Sequence, residues 1–204
     1  MRKGDLVRVR ADAPPAPVAQ RLLEAATRLF AEKGFESTSV QEIVEAAGVT
    51  KGAMYHYFGS KDDLLYEIYA RVLRMQTERL EQLAEAAGSV QQRLAEAAAD
   101  VVQTSIANLD DTVIFFRSMH LLDPDKRAAV RADRRRYHER FRALIEEGRK
   151  AGDFRRDVDA DLVVDFFFGA VHHLPSWYRA DGPLRPEQIG RNFAELLLAS
   201  LRRA

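Results

Sequence analysis

The stretch ESTSVQEIVEAAGVTKGAMYHYFGSKDDL, Glu36 to Leu64, encodes two short capped helices around a tight turn, followed by a third cap. Ser39-Val40-Gln41-Glu42 is a capping box, in which the serine hydroxyl accepts a backbone N–H and the glutamate reaches back to the serine amide. Val40, Ile43, Val44 and Ala47 then recur at the i, i+3, i+4, i+7 spacing of a helix with one buried face. Gly48 stands where a helix can close on a left-handed residue, a conformation that costs little only without a Cβ, and Val49 can pack back over the turn. Thr50 can cap the second helix. At about 100° per residue, Met54, Tyr57 and Phe58 share one face of it and Lys51, Gly52, Tyr55 and His56 the other. Glycine inside a helix costs about 1 kcal/mol relative to alanine, so Gly52 suggests a flat spot where the backbone approaches a surface such as a groove floor. The whole pattern predicts a helix-turn-helix.

The run GVTKGAMYHYFGSKDDL, preceded by an amphipathic helix ending AATRLFAEKGFESTSV, resembles the DNA-binding domain of the tetracycline-repressor (TetR) family of bacterial regulators. The resemblance is close over roughly Val18 to Leu65 and extends to the remainder only in its helical plan. It implies that Lys51, Gly52, Ala53, Tyr55 and His56 meet base edges and phosphates, with Thr38, Ser39 and Gln41 flanking the preceding helix and Lys61 opening the next. Hydroxyls, an ammonium and helix N-termini suit phosphate, which points to Thr38, Ser39, Tyr55 and Lys61. Lys51 and Gln41 have the reach for base edges. Ser39 and Thr50 have a second reading as caps alone. Tyr57 is open too: its angle favours the core, while the family sometimes uses that position on phosphate.

Length and composition allow one or two compact domains: 204 residues, 47% hydrophobic and 30% charged. There is no cysteine, which excludes a disulfide framework, a thiolate zinc site and a cysteine nucleophile, and suits a cytoplasmic protein. No apolar run approaches the ~20 residues of a membrane span, and the first residues lack the apolar centre of a signal peptide. Net charge is zero, and Val18 to Leu64 holds five Lys/Arg against seven Asp/Glu, so charge counting alone argues against a nucleic-acid partner. Residues 1–17 compensate. There Arg2, Lys3, Arg8 and Arg10 face only Asp5 and Asp12, and a flexible basic arm can reach phosphates or a minor groove. An ordinary solvated terminus is the alternative reading.

Breakers at Gly34, Gly48, Gly59, Gly88, Pro124, Gly152 and the Gly182 to Pro186 stretch leave an all-α chain of about nine helical segments. Their expected spans are 18–33, 40–47, 51–57, 61–86, 90–109, 111–122, 124–150, 159–179 and 186–202. The expected organisation is an arm over 1–17, a DNA-binding domain over 18–64 and a ligand-binding and dimerisation domain over 65–204. Phe166 and Phe167 in the eighth segment, and Phe193 and Leu197 in the ninth, belong to helices too apolar for a single covered face. The resemblance implies that these two helices pair with a second subunit, and a two-fold dimer would set two recognition helices on one face of operator DNA.

Phe115, Met119, His120, Tyr137, Phe141, Phe168, His172, Trp177 and Tyr178 combine large apolar area with polar tips, and with Arg134 they suit a pocket between helices. Plain core is the alternative for any one of them. Gly169 and a helix kink at Pro175 favour the pocket. His172 and His173 point about 100° apart and cannot clasp one metal. No histidine has a carboxylate three residues before it, so no metal, cofactor or catalytic residue is assigned. The expected function is a homodimeric transcriptional regulator, most simply a repressor released by a small hydrophobic effector. The helix ending Trp177-Tyr178 before Gly182-Pro183 resembles the acyl-CoA-responsive branch of the family, with Arg131, Arg134, Arg135 and Arg179 available to CoA phosphates. A helical enzyme without a recognisable motif, and a ligand-independent architectural DNA-binding protein, are the rival readings.

Overall fold

The structure, a computed structural model, describes residues 17–203. The basic arm lies outside the described residues, apart from Pro17. The chain folds into α1 (Val18–Lys33), α2 (Val40–Ala47), α3 (Lys51–Tyr57), α4 (Lys61–Glu85), α5 (Val90–Ala107) and α6 (Leu109–Ser118). A 3-10 turn (Met119–Leu121) leads to α7 (Pro124–Ala151), α8 (Ala160–His172), α9 (Leu174–Trp177) and α10 (Pro186–Leu201). No strand occurs among the described residues.

Local chemistry sets most of the boundaries. Ser39 and Ser89 head capping boxes, Thr50 and Ser60 accept from the amide three residues on, and Asp159 accepts from Asp161 and Leu162. Gly48 (φ 63°) and Gly152 (φ 85°) close α2 and α7 in the left-handed region. One expected element differs. The eighth segment does not run through a kink at Pro175: it ends at His172, and Pro175 sits in the first turn of the separate α9, where the missing N–H has no helical partner to lose.

Two apolar cores organise the packing. The smaller joins Leu22, Phe30, Ile43 and Met54 of α1–α3 to Leu64, Leu65 and Ile68 of α4, and to Ile114, Phe115, Leu122 and Val130 farther along. The larger fills the space between α4, α5, α7, α8 and α10 around Leu94, Phe141, Ile145, Phe167 and Leu201. Tyr69 of α4 packs against both. Polar ties cross between them. Arg71 of α4 pairs with the buried Asp111 of α6 at 3.0 Å and lies 3.4 Å from the Thr27 hydroxyl of α1. Lys126 of α7 pairs with Asp63, and the Asp123 amide donates to Asp62 at 3.0 Å.

Candidate DNA-binding surface and effector cavity

α3 presents its polar side outward because Met54 is fully buried on the other. Lys51, Gly52, Tyr55 and His56 are exposed, as are Ser39, Gln41 and Thr50 around them, and Ala53 is half-buried. Tyr57 is 51% exposed, so it does not join Met54 in the core; its ring meets His56 edge-on at 5.0 Å. The space above Gly52 is open: a Cβ there would meet only the Thr50 hydroxyl at 3.8 Å. Nothing inside the fold calls for glycine at that point. Ser39 and Thr50 both act as caps, and the Gln41 amide already donates to Glu45 at 2.5 Å.

Two expected phosphate donors are committed elsewhere. Thr38 is 1% exposed, and its hydroxyl lies 2.8 Å from the Gly34 carbonyl and 3.3 Å from that of Leu29. Lys61 Nζ donates to the carbonyls of Phe35 at 2.7 Å and Thr38 at 2.9 Å, over the Phe35 ring. Both side chains staple the loop between α1 and α2, where carbonyls beyond a helix end need donors.

In the larger core, Arg134, Tyr137, Phe168 and His172 converge on a cavity of about 30 Å³ with Tyr69, Leu73, Gln76, Val101, Ser105, His138 and Val171. The Tyr137 hydroxyl is buried with no hydrogen-bond partner among the described residues. His138 stacks on Phe168 at 4.1 Å. Burial first, then the Arg134 charge, hold His138 and His172 down at about 4, so both imidazoles are neutral near pH 7. The Arg134 guanidinium lies 5.1 Å over the Phe115 ring, which stacks on Tyr69 at 3.8 Å. Outside, a groove of about 350 Å³ between α7 and α8 shares Arg134 and His138 with the cavity and adds Arg131, Arg135 and Arg142 beside Glu139, Asp161 and Asp165.

Other expected pocket residues fall outside this cavity. Phe141 is fully buried core stacked on Phe167, His120 is exposed, and Trp177 is 44% exposed. Phe115 and Met119 pack in the smaller core, and Tyr178 packs against the larger. Arg179 does not line the groove. Tyr69, Leu73 and Gln76 were legible as an i, i+4, i+7 stripe on α4, and His138 as the i+4 neighbour of Arg134.

Of the expected dimer residues, Phe167 and Leu197 are buried within their own subunit, because each stands on the inward side of its helix. Phe193 is half-buried. On α8 and α10 the large apolar side chains left exposed are Leu162 (63% exposed), Phe166 (70%) and Leu196 (69%). Gly169 follows Leu162 and Phe166 on the same face of α8, exposed with open space above it, so it serves no pocket.

The family model described as "Bacterial regulatory proteins, tetR family" matches residues 22–68, and "Tetracyclin repressor-like, C-terminal domain" matches 87–201. The chain belongs to the TetR family. Among curated relatives, the transcriptional repressor KstR2 of Mycolicibacterium smegmatis is 27% identical over 194 residues, covering 93% of this chain and 94% of that one. Among solved structures, the TetR-family regulator PfmR of Thermus thermophilus superposes with a TM-score of 0.81 at 34% identity, over 90% of this chain and all of that one. AibR, solved with isovaleryl coenzyme A and operator DNA, gives 0.78 at 26% identity, over 89% and 98%. As a TetR-family member this chain is a ligand-responsive, DNA-binding transcriptional regulator that acts on operator DNA as a dimer. The family consists of regulators rather than enzymes. Among the described residues no helix is long and apolar enough to cross a membrane.

Proposed function

We propose that this regulator represses transcription from the cytoplasmic chromosome and leaves its operator when an acyl-CoA thioester binds. The observation that carries the reading is the pair of spaces sharing Arg134 and His138: an arginine-lined groove suited to the CoA phosphates, opening beside an aromatic cavity suited to the acyl part. AibR, a relative in fold and at 26% identity, supports it through its bound isovaleryl coenzyme A.

Residues 18–64 work on DNA, with Lys51, Tyr55, His56 and Tyr57 as the reaching side chains and Gly52 letting the helix backbone settle toward the groove. Residues 65–204 hold effector and partner, the partner meeting Leu162, Phe166, Phe193 and Leu196. A cavity of about 30 Å³ holds roughly one water, so an acyl chain must push its walls apart. One wall is Tyr69, whose helix continues into the smaller core through Ile68, Leu65 and Leu64. Displacing Arg134 toward a phosphate would free the Phe115–Tyr69 stack at the same point. The separation of the two recognition helices then shifts, and the operator-fitting population falls.

Thermal-shift and operator-release assays with acyl-CoA thioesters, each beside its free acid, test the reading. Thioesters should stabilise the protein and release DNA, and an Arg131→Ala, Arg135→Ala variant should need about tenfold more of them, as loss of charge-assisted bonds implies. Release by free acids alone, with every thioester inert, would refute it.

A further inference from the structure

The acyl-CoA reading leaves the Tyr137 hydroxyl of the cavity unused. Its ring is fixed: it lies edge-on to Phe168 at 5.5 Å, and the residue is only 4% exposed. The hydroxyl has no partner among the described residues, although a buried polar group without one is rare and phenylalanine would pack the same space at no such cost. Burial also pushes its pKa upward, so it is a neutral O–H donor at any physiological pH. Its surroundings are more polar than an aliphatic chain would want. The neutral imidazoles of His138 and His172 line the same cavity, with Gln76, whose amide nitrogen donates to Thr104 at 3.0 Å and Ser105 at 3.3 Å.

We propose that the acyl portion of the effector carries a hydroxyl or oxo oxygen, which accepts the hydrogen bond that the Tyr137 hydroxyl now lacks. This rests on the acyl-CoA reading and narrows it from saturated chains to oxygenated ones. A site built around a buried donor discriminates against the analogue without the acceptor, because that analogue leaves the donor unpaired and displaces any water serving it.

The test is calorimetric titration of the full-length dimer with matched pairs: 3-hydroxybutyryl-CoA and acetoacetyl-CoA against butyryl-CoA, and 3-hydroxyoctanoyl-CoA and 8-hydroxyoctanoyl-CoA against octanoyl-CoA. At least one oxygenated member should bind about tenfold or more tighter than its saturated partner. Tyr137→Phe should abolish that preference and leave the free protein at least as heat-stable. Saturated thioesters binding as well as every oxygenated one, or a preference that survives in Tyr137→Phe, would overturn this proposal and leave the acyl-CoA reading standing. If no thioester of either kind binds, both fall. A variant that is merely more stable, with no wild-type preference to lose, would mean that the cavity holds a structural water only, and would also overturn it.

Discussion

Along Ser39 to Thr50 three outward side chains are held by neighbours: Ser39 by Glu42, Gln41 by Glu45, and Thr50 by the amide of Ala53. The cavity proposed for the effector has walls from four helices, with Tyr69 from α4, Val101 from α5, Tyr137 from α7 and His172 from α8. A surface built from contacts three or four residues apart forms with its helix and tolerates little movement. A cavity built from long-range packing moves when any of its helices moves, which is what an effector requires. The smaller core joins them, since Phe115 belongs to it and also stacks on Tyr69 at the cavity.

The largest expected effect separates both regions from their common requirement, the second subunit. Phe166→Glu combined with Leu196→Glu places charges on the uncovered face of α8 and α10, where both wild-type side chains are more than two-thirds exposed. Light scattering should show a monomer, and operator affinity should fall at least about a hundredfold, because each subunit then binds a half-site without the effective concentration of its twin. A folded dimer with wild-type affinity would put the interface on another face.

A contrast within the DNA-binding end comes next in size. Lys51→Ala and Tyr55→Phe should each weaken operator binding by about 1–3 kcal/mol and leave urea stability unchanged. Thr38→Val should do the reverse, lowering stability by about 1–3 kcal/mol by leaving the carbonyls of Leu29 and Gly34 without their hydroxyl donor. If Thr38→Val keeps its stability and loses operator binding, the threonine contacts DNA after all.

The most gradual effect, spread over a range of pH, belongs to the cavity. His138 and His172 titrate at 6.5 when unfolded and at about 4 in the fold, so as pH falls the unfolded chain takes up protons first. Their contribution is complete above pH 6.5 and drains away between 6.5 and about 4, on the order of 2 kcal/mol after allowance for partial solvent exposure. Asp111, pushed up by burial, works in the opposite sense at the acid end. Urea midpoints measured from pH 7.5 to 4.5 should decline in wild type and flatten in a His138→Phe, His172→Phe variant. Equal slopes in the two proteins would show that these imidazoles are not neutral in the fold.

The sequence by itself determined most of the helices and the exposed face of α3. Capping hydroxyls, left-handed glycines and the apolar spacing of Ile43, Val44 and Met54 act within a few residues, and each expected helix start is met within two residues, whereas the separate α9 at Leu174 was not expected. Tertiary structure alone decided which side chains each helix hides. Phe141, Phe167 and Leu197 have the same character in the sequence as Phe166 and Leu196, yet the first three are core and the last two are bare. Thr38 and Lys61 read as phosphate donors until the carbonyls of the α1–α2 loop arrive beside them. Tyr137 could not be known to lack a partner until α4, α5, α7 and α8 closed around it. Local patterns carry the conformation of a segment, whereas burial and hydrogen-bond satisfaction depend on partners that only the fold brings together.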